Sequence, residues 1–421
     1  MENRKIRKDR VVVLAVVLVL CIACLSGGIF LVTRAVSALF SGQPSSAQNT
    51  GEPESSSGQV NPEHTGQKQN EEDVLITATG DMLLEDGFIN WFGNGSWNDY
   101  MKDLQPWIGQ DDLTIANLEV PIAGEELGLA GLNYCFNAPA ETAENIRLNS
   151  IEFVSLANNH AMDRGAEGAS LTIGNLDKQK IGHTGVFLNE TDRNQTVIRE
   201  INGMKIAILS WTYGTNQPVN EPWRVNVFTD AWSAEVNTLL SDLEKAREQA
   251  DCVIVCMHWG TEFTYALNET QIQLSQMLAD GGADVIIGNH PHTIQPAGWI
   301  EAEDGRRTLC FYSLGNLISS AYTVSRADET FQNMYEVGAL AQFELKKDKD
   351  GVQVINPVLI PVVNHFEEEY ENFRLIPLMD YTEDMVQRHS QASWSSEFTA
   401  SWLKNQVKQV FRDSGIPVLL D

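Results

Sequence analysis

Short apolar runs alternate with amphipathic stretches from Val74 to about residue 320. Seven runs predict strands: 74–80, 113–119, 153–158, 205–211, 252–259, 284–289 and 308–316. Most are β-branched and apolar throughout, as expected of strands covered on both faces. Between them, 141–149, 167–179, 233–250 and 269–282 carry apolar residues at three-and-four spacing, which predicts helices. Strand–helix repetition of this kind defines an α/β fold with sheets flanked by helices. Past residue 335 the pattern changes. EVGALAQFELKKD and GVQVINPVLIPVVN predict a hairpin through the polar DKDG turn, and 380–414 is helical in character.

The N-terminal pattern is different. Val11–Thr33 holds no charged side chain, follows five basic residues and is closed by Arg34. It is long enough to cross a hydrocarbon core of about 30 Å as a helix. The basic excess before it directs the N-terminus to the cytoplasm and the rest outside. A cleaved signal peptide, or lipidation at Cys24, is the alternative. Residues 41–72 contain Val60 as their one aliphatic residue beyond alanine. Such a stretch cannot offset its ordering entropy by burial and is expected to be a disordered tether. The expected organisation is therefore a cytoplasmic segment 1–10, a transmembrane anchor 11–33, a linker 34–72, a domain 73–365 and a helical extension 366–421.

Charge narrows the partners. The chain of 421 residues has a formal net charge of −28. Residues 1–34 hold six basic and two acidic side chains, a net +4, which leaves −32 for the remainder. Nucleic acid is excluded as a partner, and a divalent cation is favoured. Cys135, Cys252, Cys256 and Cys310 lie beyond the anchor; the middle pair is four residues apart on one strand, about 13 Å, too far for a disulfide. All four are expected to be buried, unreactive thiols.

The strand ends carry the chemistry. Asp81 follows the first strand, Asn117 and Glu119 the second, Asn158, Asn159 and His160 the third. His258 closes a fourth, and Asn289, His290 and His292 a fifth. Four of the eight histidines stand at strand ends, where α/β folds bind ligands. Each residue alone reads as a turn or cap; five such ends together point to one site. Oxygen and imidazole donors without thiolate suit Mn, Zn or Fe better than Mg or Ca. Pro291 is expected to hold His290-Pro291-His292 extended, with both imidazoles to one side. Trp91, Phe92, Trp97, Tyr100 and Trp107 form an aromatic stretch suited either to a core or to a polymer-contacting loop.

The set TATGDMLL (77–84), ANLEVPI (116–122), SLANNHAMDRG (155–165), HWGTEF (258–263), GNHPHTIQP (288–296) and YSLGNLI (312–318) resembles the CapA family of poly-γ-glutamate capsule synthesis proteins, which is related to calcineurin-like metallophosphatases. The resemblance spans residues 73–365 and implies layered metallophosphatase-like sheets. It implies one or two divalent metal ions, with Asp81 and His292 on the first and Glu119 bridging. Asn159, His258 and His290 would hold the second. His160 would be the general acid or phosphate-facing histidine. Two positions depart from the metallophosphatase pattern: Leu83 replaces a first-metal histidine, and Ala161 replaces the acid that orients the catalytic histidine. Asp163 is the candidate substitute for that acid. The implied role is a membrane-anchored, extracytoplasmic factor in poly-γ-glutamate assembly or export. A metal-dependent hydrolase of phosphoesters or polymer amide bonds, and a non-catalytic scaffold, are the alternatives. Candidate partners are the cell membrane, other capsule-synthesis membrane proteins and a polyanionic polymer, with Arg147 and Arg164 as candidate contacts to the last.

Overall fold

The computed structural model describes residues 72–93, 95–131, 135–320, 329–349, 351–368 and 371–421. The segment 1–10, the anchor 11–33 and all but the last residue of the linker 34–72 lie outside the described residues. Among the described residues, no helix is long and apolar enough to cross a membrane.

Two sheets form the centre. The first contains β1 (Val74–Met82), β2 (Leu113–Leu118), β3 (Phe153–Ser155) and β4 (Gly182–Thr184), all parallel. The second contains β5 (Ile198–Ile201), β6 (Met204–Thr212), β7 (Cys252–His258), β8 (Val285–Asn289), β9 (Ala297–Glu301) and β10 (Arg307–Phe311). Its order is β5-β6-β7-β8-β10-β9, parallel at the centre with antiparallel edges. The chain then returns to the first sheet through β11 (Asn316–Ile318), β12 (Val337–Asp348), β13 (Gly351–Glu367) and β14 (Glu371–Pro377). That sheet runs β14-β13-β12-β1-β2-β3-β4, with β11 beside the end of β1.

The sheets face one another. Ile76, Ile115 and Phe153 of the first share one apolar core with Ile208, Ile254 and Ile287 of the second. Helices cover the outer faces. α1 (Asp86–Phe92), α2 (Thr142–Leu148) and α3 (Gly165–Gln179) pack on the first sheet. α4 (Ala234–Gln249) and α5 (Glu269–Gly281) pack on the second. The α4 stripe Val236, Leu239, Leu243 and Ala246 follows helical spacing and is buried; each Leu contributes about 1.5–3 kcal/mol. The result is a four-layer α/β arrangement of helix-flanked sheets, as the periodicity predicts.

Several expectations need correction. The run 308–316 is not one strand: β10 ends at Phe311 and the chain crosses to the first sheet before β11. Glycine permits that crossing. A Cβ on Gly80 would stand 2.1 Å from the Gly315 carbonyl oxygen, and one on Gly288 would stand 2.0 Å from that of Tyr312. A boundary at 365/366 falls inside β13, and the tail adds the strand β14 before its helices. The last helix, α6 (Ala400–Val410), seats Leu403 and Val407 in the inter-sheet core. Cys252, Cys256 and Cys310 are buried, but Cys135 is half-buried, against the expectation for all four. Trp97, Tyr100 and Trp107 are core; Trp91 is 44% exposed.

Candidate metal centre

The parallel strands of both sheets end toward the same place, so residues far apart in sequence meet there. Asp81 ends β1 opposite Asn117 of β2, and His258 ends β7 opposite Asn289 of β8. The backbone N–H of His290 donates to Asp81 Oδ2 at 3.1 Å and joins the two sheets. Two sets of donor atoms, each within 4.8 Å of one another, result: Glu119 with His290 and His292, and Asp81 with Glu119 and His258. Glu119 belongs to both sets. The resemblance groups the histidines differently, placing His292 with Asp81 and His258 with His290.

The His-Pro-His segment is not extended. His290 has φ +101° and His292 φ +55°, a positive-φ backbone that only a few per cent of non-glycine residues adopt. Pro291 fixes only its own φ, and the flanking turns bring the two rings to 6.0 Å between centroids. Strain of this kind persists only where the surroundings over-determine it.

The neighbours set each donor's state. His292 Nδ1 faces Asn316 Oδ1 at 3.0 Å and Asp81 Oδ2 at 3.4 Å. Both are acceptors, so Nδ1 is the donor to them, and Nε2 stands 3.6 Å from Glu119 Oε1. Asn316 is itself held by donating to the Tyr335 carbonyl at 2.9 Å. His258 Nε2 lies 2.8 Å from Asn159 Oδ1 and 3.4 Å from Glu119 Oε1. Asn117 donates to Asp81 Oδ1 at 2.7 Å and lies 3.3 Å from His258 Nδ1. Burial holds His258 down to about 3 and His290 well below the usual imidazole range, so both are neutral, as ligands must be. Burial opposes charge on Asp81 and His292 as well, but their mutual hydrogen bond and attraction win. The Asp81 carboxyl is lowered and the His292 imidazole raised.

Glu119 is different. Burial, then the charge of Asp81, pushes its carboxyl well above the usual range. Both its oxygens are buried without a hydrogen-bond partner among the described residues, as is His290 Nδ1. Unpartnered buried carboxylate oxygens are costly, and a divalent cation among these donors would satisfy them. The residues therefore fit a metal ion of the oxygen- and imidazole-binding class.

Beside the cluster, His160 Nδ1 lies 2.7 Å from Asp163 Oδ2, which also accepts from the Phe136 N–H at 2.6 Å. Asp163 thus holds the His160 ring through a contact that Ala161 cannot make. Asn158 braces the backbone instead: it donates to the Leu118 carbonyl at 2.7 Å and accepts from the His160 N–H at 3.1 Å. Arg147 bonds Gln179, and Arg164 bonds the Asp163 and Gly128 carbonyls, so neither is turned to the cluster. A cleft of about 560 Å³ opens at His290, lined by Tyr213, Asn216, Gly260, Glu262 and Phe263. Asn316 stands with Ser313 and Gly315 at the end of the last apolar run and Glu262 lies within HWGTEF, but neither is assigned as a ligand from the sequence, and Tyr213 carries no signal there.

A helix-flanked α/β chain with a buried carboxylate–imidazole cluster where its two sheets meet is thereby defined. The chain belongs to the family of bacterial capsule synthesis proteins, described as Bacterial capsule synthesis protein PGA_cap, whose match spans residues 75–321. It is 28% identical over 298 residues to the PGA biosynthesis protein CapA of Bacillus subtilis (strain 168), covering 69% of this chain and 73% of that one. The capsule biosynthesis protein CapA of Bacillus anthracis is 26% identical over 307 residues, covering 69% of each. Among solved structures, the calcineurin-like phosphoesterase YfkN of Bacillus subtilis aligns with a TM-score of 0.39 and 14% identity, over 80% of this chain and 96% of that one.

Proposed function

We propose that the protein is a membrane-anchored, extracytoplasmic factor of poly-γ-glutamate capsule assembly or export, built around a divalent metal centre. The observation that carries the metal reading is Glu119, shared by two donor sets with both oxygens buried and unpartnered. Asp81, Glu119, Asn159, His258, His290 and His292 would hold one or two ions of Mn, Zn or Fe. The anchoring role rests on the uncharged run Val11–Thr33, and the capsule role on family membership. Its partners would be the membrane and other capsule-synthesis membrane proteins. A remainder at −32 disfavours tight contact with a polyanion, so any contact with the polymer would be brief or cation-bridged.

A metal-dependent hydrolase is the second reading, favoured by the His160–Asp163 pair. A bound ion would supply a polarised water and charge stabilisation at the reacting group. This chain's part is then proton handling. Asp163 engages Nδ1 of His160, which leaves Nε2 to take a proton from the attacking water and pass it to a leaving amine or alcohol. A non-catalytic scaffold would need neither feature.

The test is the metal content of the full-length chain, purified in detergent without chelator, beside a His258→Ala/His290→Ala variant. About one or two equivalents of Mn, Zn or Fe, lost in the variant, is the expected result. A folded, monodisperse protein free of metal would refute the metal centre.

A further inference from the structure

The cleft beside His290 is a built surface. The segment after β7 turns at Gly260 (φ +96°) and Phe263 (φ +65°), the latter a strained position for an aromatic residue. The Phe263 N–H donates to the Pro291 carbonyl at 2.8 Å. Fully buried Gln295 donates to the Thr264 and Ala266 carbonyls at 2.9 and 3.2 Å, and its own amide oxygen accepts from fully buried Gln271 at 2.8 Å. The segment is thus fixed from below, through the cap of α5, in a conformation that costs backbone strain. Strain held in place by buried polar groups is characteristic of sites rather than of passive loops.

This bracing presents Glu262 to the cleft. Among the described residues Glu262 forms no ion pair, and none of the residues that line the cleft is Lys or Arg. Two aromatic rings share its wall: Tyr213, 4.5 Å from the His290 ring, and Phe263, 5.9 Å from the His292 ring. A carboxylate beside aromatic faces, with no Lys or Arg among the described residues that line the cleft, suits an ammonium group. The Glu262 wall itself disfavours a phosphate group, since it sets a carboxylate there and no Lys or Arg among the described lining.

We infer that the cleft takes the protonated amino end of a peptide-like substrate, with Glu262 as its counter-charge and specificity-determining residue. The amide next to that amine then lies toward the strand-end cluster. The inference rests on reading that cluster as the reacting centre, but the recognition of the amine does not require the metal.

The test titrates full-length protein in detergent with glycylglycinamide, with its N-acetyl form and with inorganic phosphate, following ligand-observed NMR. The free amine is expected to bind about ten-fold tighter than the acetylated form, and in Glu262→Gln the two should come within about two-fold. Phosphate should gain about ten-fold in affinity in Glu262→Lys. Equal binding of amine and N-acetyl amide to the wild type, or full discrimination in Glu262→Gln, overturns the inference. Metal content is measured on the same samples. Loss of metal in Glu262→Gln would make Glu262 a ligand and also overturn it, whereas a metal-free wild type that still prefers the amine removes the metal centre and upholds the cleft's selectivity.

Discussion

Glu119 concentrates the conflict between folding and function in one side chain. It is fully buried beside Asp81, also fully buried, and neither of its oxygens has a hydrogen-bond partner among the described residues. Burial, then the charge of Asp81, pushes its carboxyl up, so the metal-free protein folds at the cost of either taking up a proton or burying a charge at this point. Glu119→Gln removes the ionisable group and keeps the shape. Metal content should then fall to below about a tenth of wild type, while the metal-free protein gains about 1–3 kcal/mol in denaturant unfolding. Retained metal in the variant would show that Glu119 is not a ligand. A metal-free variant less stable than metal-free wild type would show that hidden hydrogen bonds satisfy it. His290 and His292 carry the companion cost in their backbone, where the positive φ values replace the extended geometry that Pro291 suggested.

At the scale of elements, the buried parallel strands were legible because continuous apolar runs admit few other readings, and β1, β2, β6, β7 and β8 lie where those runs do. The edge strands β5 and β9 were not, since their half-exposed residues carry no such run. The strand-end donors could be read for a related reason: Asp, Asn and His break an apolar run and are conspicuous. Asn316 reaches the site by a crossing between sheets and Glu262 on a braced loop, which local pattern does not encode, while Tyr213 follows β6 directly. The C-terminal turn offers a prediction of its own. His389 is 2% exposed; its Nε2 bonds the Asn364 carbonyl at 2.8 Å and its Nδ1 accepts from the Gln391 N–H at 2.9 Å. Burial, then His365, lowers it to about 3. Above the unfolded-state value near 6.5, folded and unfolded chains hold the same neutral ring. As pH falls below it, the unfolded chain takes up a proton that the folded chain refuses, so stability is lost down to about pH 3. Between pH 6.5 and 5, wild type should lose about 2 kcal/mol more than His389→Gln. Parallel pH profiles in chemical denaturation would sink this assignment.

For the whole molecule, the position of the site matters as much as its composition. Asp81 and Glu119 stand at strand ends of the first sheet; His258, His290 and His292 stand at strand ends of the second. An ion held by this set would tie the sheets together at the end where their shared core gives way to polar side chains. Binding to the folded chain alone raises stability with the logarithm of free metal over its dissociation constant, about 2.7 kcal/mol at a hundred-fold excess. In a domain of this size that is a shift of several degrees in Tm. Chelation should therefore lower the melting temperature of the purified protein, and adding back Mn or Zn should restore it. The His258→Ala/His290→Ala variant should melt at one temperature with or without chelator. A chelator effect that survives in that variant would place the stabilising ion elsewhere. A wild type indifferent to chelator, yet carrying metal by elemental analysis, would mean that the ion exchanges too slowly to be removed; melting after denaturation and refolding in chelator should then reveal the loss.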